Sequence, residues 1–432
     1  MNDDHMIKKS VLILLTYFLL FIPYTVTTFA DSLEWDSVKN LSIEEAVQLS
    51  IANYADIQLA NWKVVLSDAQ LSYVDSEKRK IEGKDVAVTS GNLPTAPEYF
   101  LNSIPNYDRL SDEDKAAINQ SIAIQIMINS SMNQLINAQT DSQNSYNQQQ
   151  KESQLKDFND QLRSLETDRV LSRLELQKSQ ALIRYYTIQK YYQLSSLRAT
   201  IQYGKKEQQY WSTQADDALK LYSKGLISKK ELEDAKIKER QQEIALELDS
   251  SSYQSQLDLF TQALGLSKYK EVILEEVPLL DIPEPGSWST TFKLEDNLDL
   301  KEADAKIKLA KENLDTVKSS EPELKTYYTI LWSSQIGNKN IMQQQFEEKL
   351  AEYKAEANQF FALYSQLKEQ HEQLFQTVED SNTLFSKGLI SVAEKDKNEL
   401  ELITLAQKID KQKSDYAIFL EKIKLANNGV IL

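Results

Sequence analysis

Apolar residues recur along this chain at three- and four-residue spacing, over stretches long enough to specify helical rods. Leu402, Leu405, Ile409, Tyr416, Phe419 and Ile423 lie on one seam broken only by Gln412, and Tyr253, Leu257, Phe260 and Leu264 lie on another. Apolar positions so spaced predict the core of a coiled coil or bundle. A helix from Ser228 to Leu266 spans about 58 Å at 1.5 Å per residue, and a rod of that length must pack along a second one. Between Asn106 and Tyr203 there is neither glycine nor proline. Strand signals are few. Asp85 to Thr89 is short, Ile122, Ile124, Ile126 and Ile128 alternate with period two, and Thr326 to Ile336 is rich in β-prone aromatics. The isoleucine run reads equally as strand or helix.

Caps punctuate the pattern. Ser42 and Glu45 open a short helix, and Asn53-Tyr54-Ala55-Asp56 interrupts before a second one running to about Lys80. Leu294-Glu-Asp-Asn297-Leu-Asp-Leu begins a counterpart that runs to about Ser319. Leu221-Tyr-Ser-Lys-Gly-Leu-Ile-Ser228 also returns, as Leu384-Phe-Ser-Lys-Gly-Leu-Ile-Ser391. In each copy the glycine ends one helix in the left-handed conformation and the serine caps the next, with Glu231 and Glu394 completing capping boxes.

The chain is thus an internal duplication into unequal halves. Gly225 and Gly388 are 163 residues apart, whereas Asn53 and Asn297 are 244 apart, so the first half holds a surplus between about 82 and 169. Part of that surplus is the Asn/Gln-rich tract Asn133 to Gln150, a disordered loop or a helix with a turn near Asn144; the helix with a turn is the expectation. Prolines and glycines cluster at Gly83 to Pro105 and Pro278 to Gly286, which marks loops or linkers. The expected organisation is a signal peptide at 1–30, a first helical repeat at 31–276 with its extra segment at about 82–169, a linker at 277–293 and a shorter second repeat at 294–432. The fold class is mainly all-α, built of long antiparallel helical hairpins with at most a few short strands.

Composition narrows the function. Only 9 glycines and 8 prolines occur in 432 residues, as long helices require. Lys8 and Lys9 precede an apolar run from Val11 to Ile22 and the small residues Thr28 and Ala30, an export signal cleaved before Asp31 or, alternatively, an uncleaved anchor. A net charge of −16 opposes nucleic-acid binding. No cysteine is present, and His371 is the one histidine besides His5 in the leader, so thiol, zinc and serine-histidine chemistry are poorly supplied. Phosphate-binding glycine motifs are absent from the sequence too. Neither an enzyme, a cofactor nor a metal site is expected.

The opening Leu41-Ser-Ile-Glu-Glu-Ala-Val-Gln-Leu with Asn53-Tyr-Ala-Asp-Ile-Gln-Leu-Ala, the paired Ser-Lys-Gly-Leu-Ile-Ser tips, and Gln262-Ala-Leu-Gly-Leu266 resemble the outer-membrane efflux protein (TolC) family over most of residues 32–428. The resemblance implies a homotrimeric α-barrel continued by a β-barrel. It also implies tips that dock a membrane-fusion adaptor linked to an inner-membrane ABC or proton-driven transporter. By position, Gly225, Leu226, Ile227 and Ser228, with Gly388, Leu389, Ile390 and Ser391, are the docking tips, and Glu394 lies where the family narrows its channel entrance. Lys397 departs from the family's second acid there, which leaves Glu394 as either an entrance ring or a capping acid. The strand signals fall short of the two β-hairpins per chain that a barrel needs, so a barrel-poor or barrel-less relative is expected. Its place is the outer membrane, or the cell surface of a single-membrane bacterium. The expected function is a passive conduit in efflux or type I secretion; the alternative is a non-transporting cell-surface coiled-coil scaffold.

Overall fold

A computed structural model describes residues 38–267, 269–284 and 293–432. The export segment expected at 1–30, and residues 285–292 of the linker, lie outside the described residues. The order is β1 (Val38–Leu41), α1 (Ile43–Asn53), α2 (Ala55–Glu82), α3 (Pro97–Leu101), α4 (Asp112–Ser223), α5 (Lys229–Ala263), β2 (Glu271–Leu274), α6 (Leu298–Asp315), α7 (Pro322–Ser386) and α8 (Val392–Asn427). The fold is mainly all-α, as the periodicity requires.

The spine is α4, whose 112 residues span about 168 Å at 1.5 Å per residue. Polar clasps fix its neighbours. Lys63 and Asp68 of α2 meet Glu175 and Arg173 at 2.6 and 3.1 Å. Thr187 donates to Ser50 of α1 at 2.7 Å, Lys178 meets Asp299 of α6 at 2.5 Å, and Tyr203 donates to Asp410 of α8 at 2.6 Å. Beneath these clasps lie apolar clusters. One joins Leu41, Tyr191, Leu194, Leu257, Phe260 and Leu274; another joins Tyr353, Ala357, Tyr364, Tyr416, Phe419 and Ile423 of α7 and α8. The seam predicted on α8 is core at Tyr416, Phe419 and Ile423 and half-buried at Leu402, Leu405 and Ile409, and its polar break, Gln412, is buried with its amide donating to the Phe360 carbonyl at 3.4 Å.

β1 and β2 pair in parallel, Val38 opposite Glu271 through Leu41 opposite Leu274. The hydroxyl of fully buried Tyr191 bridges the carbonyls of Leu41 (2.6 Å) and Glu275 (3.0 Å), and the Arg198 guanidinium donates to the Leu274 carbonyl at 2.6 Å. Burial pushes the Tyr191 phenol up to about 12. These four-residue strands were not among the strand candidates.

Each of those candidates resolves differently. The isoleucine run is helical: Ile122 is buried and Ile126 half-buried, whereas Ile124 and Ile128 are exposed. A strand would put all four on one face; a 100° step divides them, and the surrounding 3–4 spacing overrides β-branching. Thr326 to Ile336 lies inside α7, which starts with Pro322 in its first turn. Asp85 to Thr89 is extended without pairing to a strand. Nor does α4 turn near Asn144, where the helix runs straight through.

What the asparagines do instead is hold a strap. Residues 84–94 run antiparallel to α4, and the Asn133 side chain accepts from the Leu93 N–H (2.7 Å) while donating to the Leu93 carbonyl (2.9 Å). Asn144 does the same with Val88, at 2.7 and 3.2 Å. A carboxamide paired with both polar groups of one residue replaces a strand partner. Asn129 donates to the Pro94 carbonyl, Asn147 to that of Val86, and Lys151 to those of Lys84 and Glu82. The spacing is commensurate: eleven helical residues from Asn133 to Asn144 rise about 16.5 Å, and five extended residues from Val88 to Leu93 rise about 16 Å.

Candidate docking tips and channel entrance

Both predicted turns are Schellman-type C-caps. Gly225 has φ +72° and Gly388 φ +73°. The Leu226 N–H donates to the Leu221 carbonyl and that of Leu389 to Leu384, each at 2.9 Å; Gly225 donates to Tyr222 and Gly388 to Phe385, also at 2.9 Å. No atom lies within 4 Å of a Cβ added to either glycine, so the left-handed backbone alone selects the residue.

Ser228 accepts from the Glu231 N–H at 3.2 Å while its own N–H donates to the Glu231 carboxylate at 2.7 Å, a complete capping box. That amide, and then the serine hydroxyl, hold the Glu231 carboxyl below its usual range. The second tip differs from the expectation of a repeat. Ser391 accepts from the Glu394 N–H at 3.1 Å, but the reciprocal bond that defines the box at Ser228 is not made. Glu394 thus keeps its carboxylate off the cap. Lys397 reaches Glu401 at 3.8 Å, and Lys395 reaches Glu399 at 3.0 Å.

The two tips present equal apolar ends. Leu226 is 66% exposed and Leu389 67%, while Ile227 and Ile390 are half-buried. The turns also lie toward one end of the molecule. Tyr203 of α4 and Asp410 of α8, joined by a hydrogen bond, each stand 22 residues from the glycine of their own tip, which sets the two turns at a similar level. Asn398 donates to buried Ser381 at 2.7 Å and ties α8 to α7 below the second tip.

A second pair of glycines repeats this C-cap, and one of them, Gly265, stands in the Gln262-Ala-Leu-Gly-Leu266 motif. Gly265 (φ +73°) and Gly429 (φ +86°) end α5 and α8 with the same bonds, Leu266 N–H to Thr261 and Val430 N–H to Leu425. Each closes on the start of a helical pair: Asn53 donates to the Leu264 carbonyl at 2.9 Å, and the Leu298 N–H donates to Gly429 at 2.8 Å. In the sequence Gly265 follows Leu264 directly, whereas Asn427 and Asn428 separate Gly429 from Ala426.

A cavity of about 250 Å³ lies between α4, α8 and the segment after β2. Arg198 and Tyr203 line it already bonded to the Leu274 carbonyl and to Asp410. Among the described residues no helix is long and apolar enough to cross a membrane.

No family model and no curated protein sequence matches the chain. Solved structures do. The Campylobacter jejuni CmeC outer membrane channel is similar at 11% identity and TM-score 0.55, over 90% of this chain and 85% of that one. A membrane protein from Pseudomonas aeruginosa is similar at 8% and 0.58, over 90% of each chain. CusC, described for transmembrane channel formation, is similar at 12% and 0.51, over 90% and 95%. At such identities the likeness shows the fold alone: the chain has the architecture of solved channels such as CmeC and CusC.

Proposed function

We propose that the chain is a channel component of an efflux or type I secretion system in the cell envelope, a passive conduit that docks a membrane-fusion adaptor through its helical tips. The observation that carries this reading is the twinning of the tips: two turns of one geometry expose the same leucine, at 66% and 67%, toward one end of the molecule. A turn needs its glycine and its cap; it does not need an exposed leucine, so the leucine favours a partner surface. Energy comes from that partner's ABC or proton-driven transporter. Glu394, free of the reciprocal cap bond, supplies one carboxylate per copy at the entrance.

The lateral edges support a ring. Leu59, Trp62, Val65, Leu66 and Tyr73 stand exposed on α2, and Leu324, Tyr327, Ile330 and Ile341 on α7. With the chain read as two unequal repeats, about 31–276 and 294–432, the junction that α4 makes with α6 and α8 is repeated between copies. The α7 edge of one chain then meets the α2 edge of the next, and no edge stays bare. Three copies follow from the family resemblance, and the fold likeness to outer-membrane channels favours an envelope location. Light scattering on residues 31–432, with cross-linking from Leu226→Cys and Leu389→Cys to candidate adaptors, tests the proposal. A trimer with both tips in contact is expected. A monomer with neither contact sinks it in favour of a non-transporting scaffold.

A further inference from the structure

The two tips agree in backbone and in their exposed leucine, and they differ in charge. Aligned at the 163-residue offset, residues 220–238 hold six lysines and three acids, whereas residues 383–401 hold three lysines and four acids. Lys224 returns as Lys387; the other lysines of the first tip do not return. Lys229 and Lys230 stand opposite Val392 and Ala393, and Lys236 and Lys238 opposite Glu399 and Glu401. Helix stability does not account for the pair at the turn. Lys229 and Lys230 are the first two residues of α5, where the unsatisfied N–H groups of a helix end already disfavour a cation. Glu231, the acid of that first turn, has its carboxylate on the Ser228 N–H at 2.7 Å. Lys229 reaches Glu233 at 3.4 Å on the open surface, a weak pair. Among the described residues, Lys224 and Lys230 have no carboxylate partner. The second tip instead continues its exposed leucine into exposed Val392.

We infer that the first tip is selective for an acidic protein surface: the adaptor end that meets it presents Asp or Glu carboxylates around an apolar pocket for Leu226, and the end that meets the second tip does not. The inference rests on the reading of the tips as docking sites and adds the chemistry of the partner. Charge complementarity carries it. The chain as a whole has a net charge of −16, so its overall field repels an acidic partner, and a local cationic patch orients the approach of that partner and tells one tip from the other. Lys224, Lys229 and Lys230 are exposed on either side of Leu226, so they can rim a contact that the leucine fills. A uniformly anionic surface such as lipid headgroups fits less well. With the two turns at a similar level, it would meet Glu394, Asp396, Glu399 and Glu401 of the second tip together with the lysines of the first. In the proposed ring the two kinds of tip alternate, so their contrast fixes which adaptor end meets which tip.

The test uses the full chain and the membrane-fusion adaptor to which Leu226→Cys cross-links. Lys229→Glu/Lys230→Glu is expected to slow association at least about tenfold in about 50 mM NaCl, and the difference is expected to fall below about twofold in about 500 mM NaCl. Glutamate suits the first turn of a helix, so the same exchange is expected to leave the urea midpoint unchanged or raised, which separates slower association from loss of fold. Carbodiimide, which joins amines to carboxylates without a spacer, is expected to couple Lys229 or Lys230 of the unaltered chain to an Asp or Glu of the adaptor. An unchanged association rate with the Leu226→Cys cross-link intact overturns the acidic partner and leaves the docking reading standing. Absence of cross-links from both Leu226→Cys and Leu389→Cys overturns the two together. Phosphatidylglycerol vesicles give the remaining outcome. If they sediment with the unaltered chain and not with the Lys229→Glu/Lys230→Glu variant, while adaptor association is the same for both, the lysines belong to a lipid surface and the inference is overturned.

Discussion

Four glycines with nearly the same backbone, φ +72° to +86°, make a controlled experiment, because their surroundings differ. At Gly388 an added Cβ meets nothing within 4 Å, so Gly388→Ala bears only the left-handed penalty of an L-residue, about 1–2 kcal/mol. At Gly429 the same atom falls 2.3 Å from the Asp296 carbonyl oxygen and 3.1 Å from the Leu298 nitrogen, both backbone and unable to swing aside. The chain must retreat, which loosens the 2.8 Å bond from Leu298 to Gly429 and shifts fully buried Val430 against Tyr185, Leu298 and Leu425. Adding about 1 kcal/mol for the bond and about 1–3 kcal/mol for the overpacked cluster gives about 3–6 kcal/mol for Gly429→Ala. Gly265→Ala falls between, since its neighbour at 3.1 Å is the end of the Asn53 side chain. Urea unfolding followed by circular dichroism at 222 nm is expected to rank Gly225 and Gly388 as mildest, then Gly265, then Gly429. If Gly429→Ala proved no more destabilising than Gly388→Ala, the argument from close approach would be refuted.

Other expectations follow from the same geometry. Gly388→Val is expected to abolish transport or adaptor cross-linking while leaving most of the stability, because a β-branched residue resists the left-handed turn; equal loss of folding and function would count against docking. Tyr191→Phe leaves the Leu41 and Glu275 carbonyls without their shared hydroxyl and is expected to cost about 1–3 kcal/mol, measured as a shift in the urea midpoint. Tyr191, Tyr203 and Tyr364 are each raised to about 12, by burial first and, for the last two, by Asp410 and Asp281. Since the folded value exceeds the unfolded one of about 10, their contribution is full below pH 10 and is lost as pH rises toward 12; the share of the 295 nm phenolate absorbance that is lost in Tyr191→Phe, Tyr203→Phe and Tyr364→Phe variants is expected to appear with unfolding, not before it. Asn144→Ala removes both strap bonds to Val88 and is expected to raise Val88 amide exchange about 5- to 30-fold, for about 1–2 kcal/mol, without changing helical signal. Unchanged exchange would show that the asparagines do not hold the strap.

The sequence made the rods and turns plain because local rules govern them. Helix length follows from missing glycine and proline, the tips from Gly225 and Gly388, the seam from Tyr416, Phe419 and Ile423. Partners distant in sequence were harder to read. Pairing of residues 38–41 with 271–274 depends on Tyr191 and Arg198 reaching across to carbonyls, which no short-range pattern reveals. The Asn/Gln tract pointed toward a break near Asn144 because asparagine favours turns when its amide bonds to its own backbone; here the amides are occupied by another segment, and the helix continues. Glu394 shows the limit of motif reading, since Ser391 and Glu394 have the capping-box spacing and make half of its bonds.

The match between five extended residues and eleven helical ones has an evolutionary consequence. Insertion or deletion of a single residue in either partner throws every later rung out of step, so the strapped stretch of α4 resists the small length changes that loops ordinarily absorb. It can lengthen or shorten without losing register only in paired quanta, one strap unit with three helical turns. Homologous stretches of different reach are therefore expected to differ by whole rungs, with their asparagines advancing in multiples of eleven.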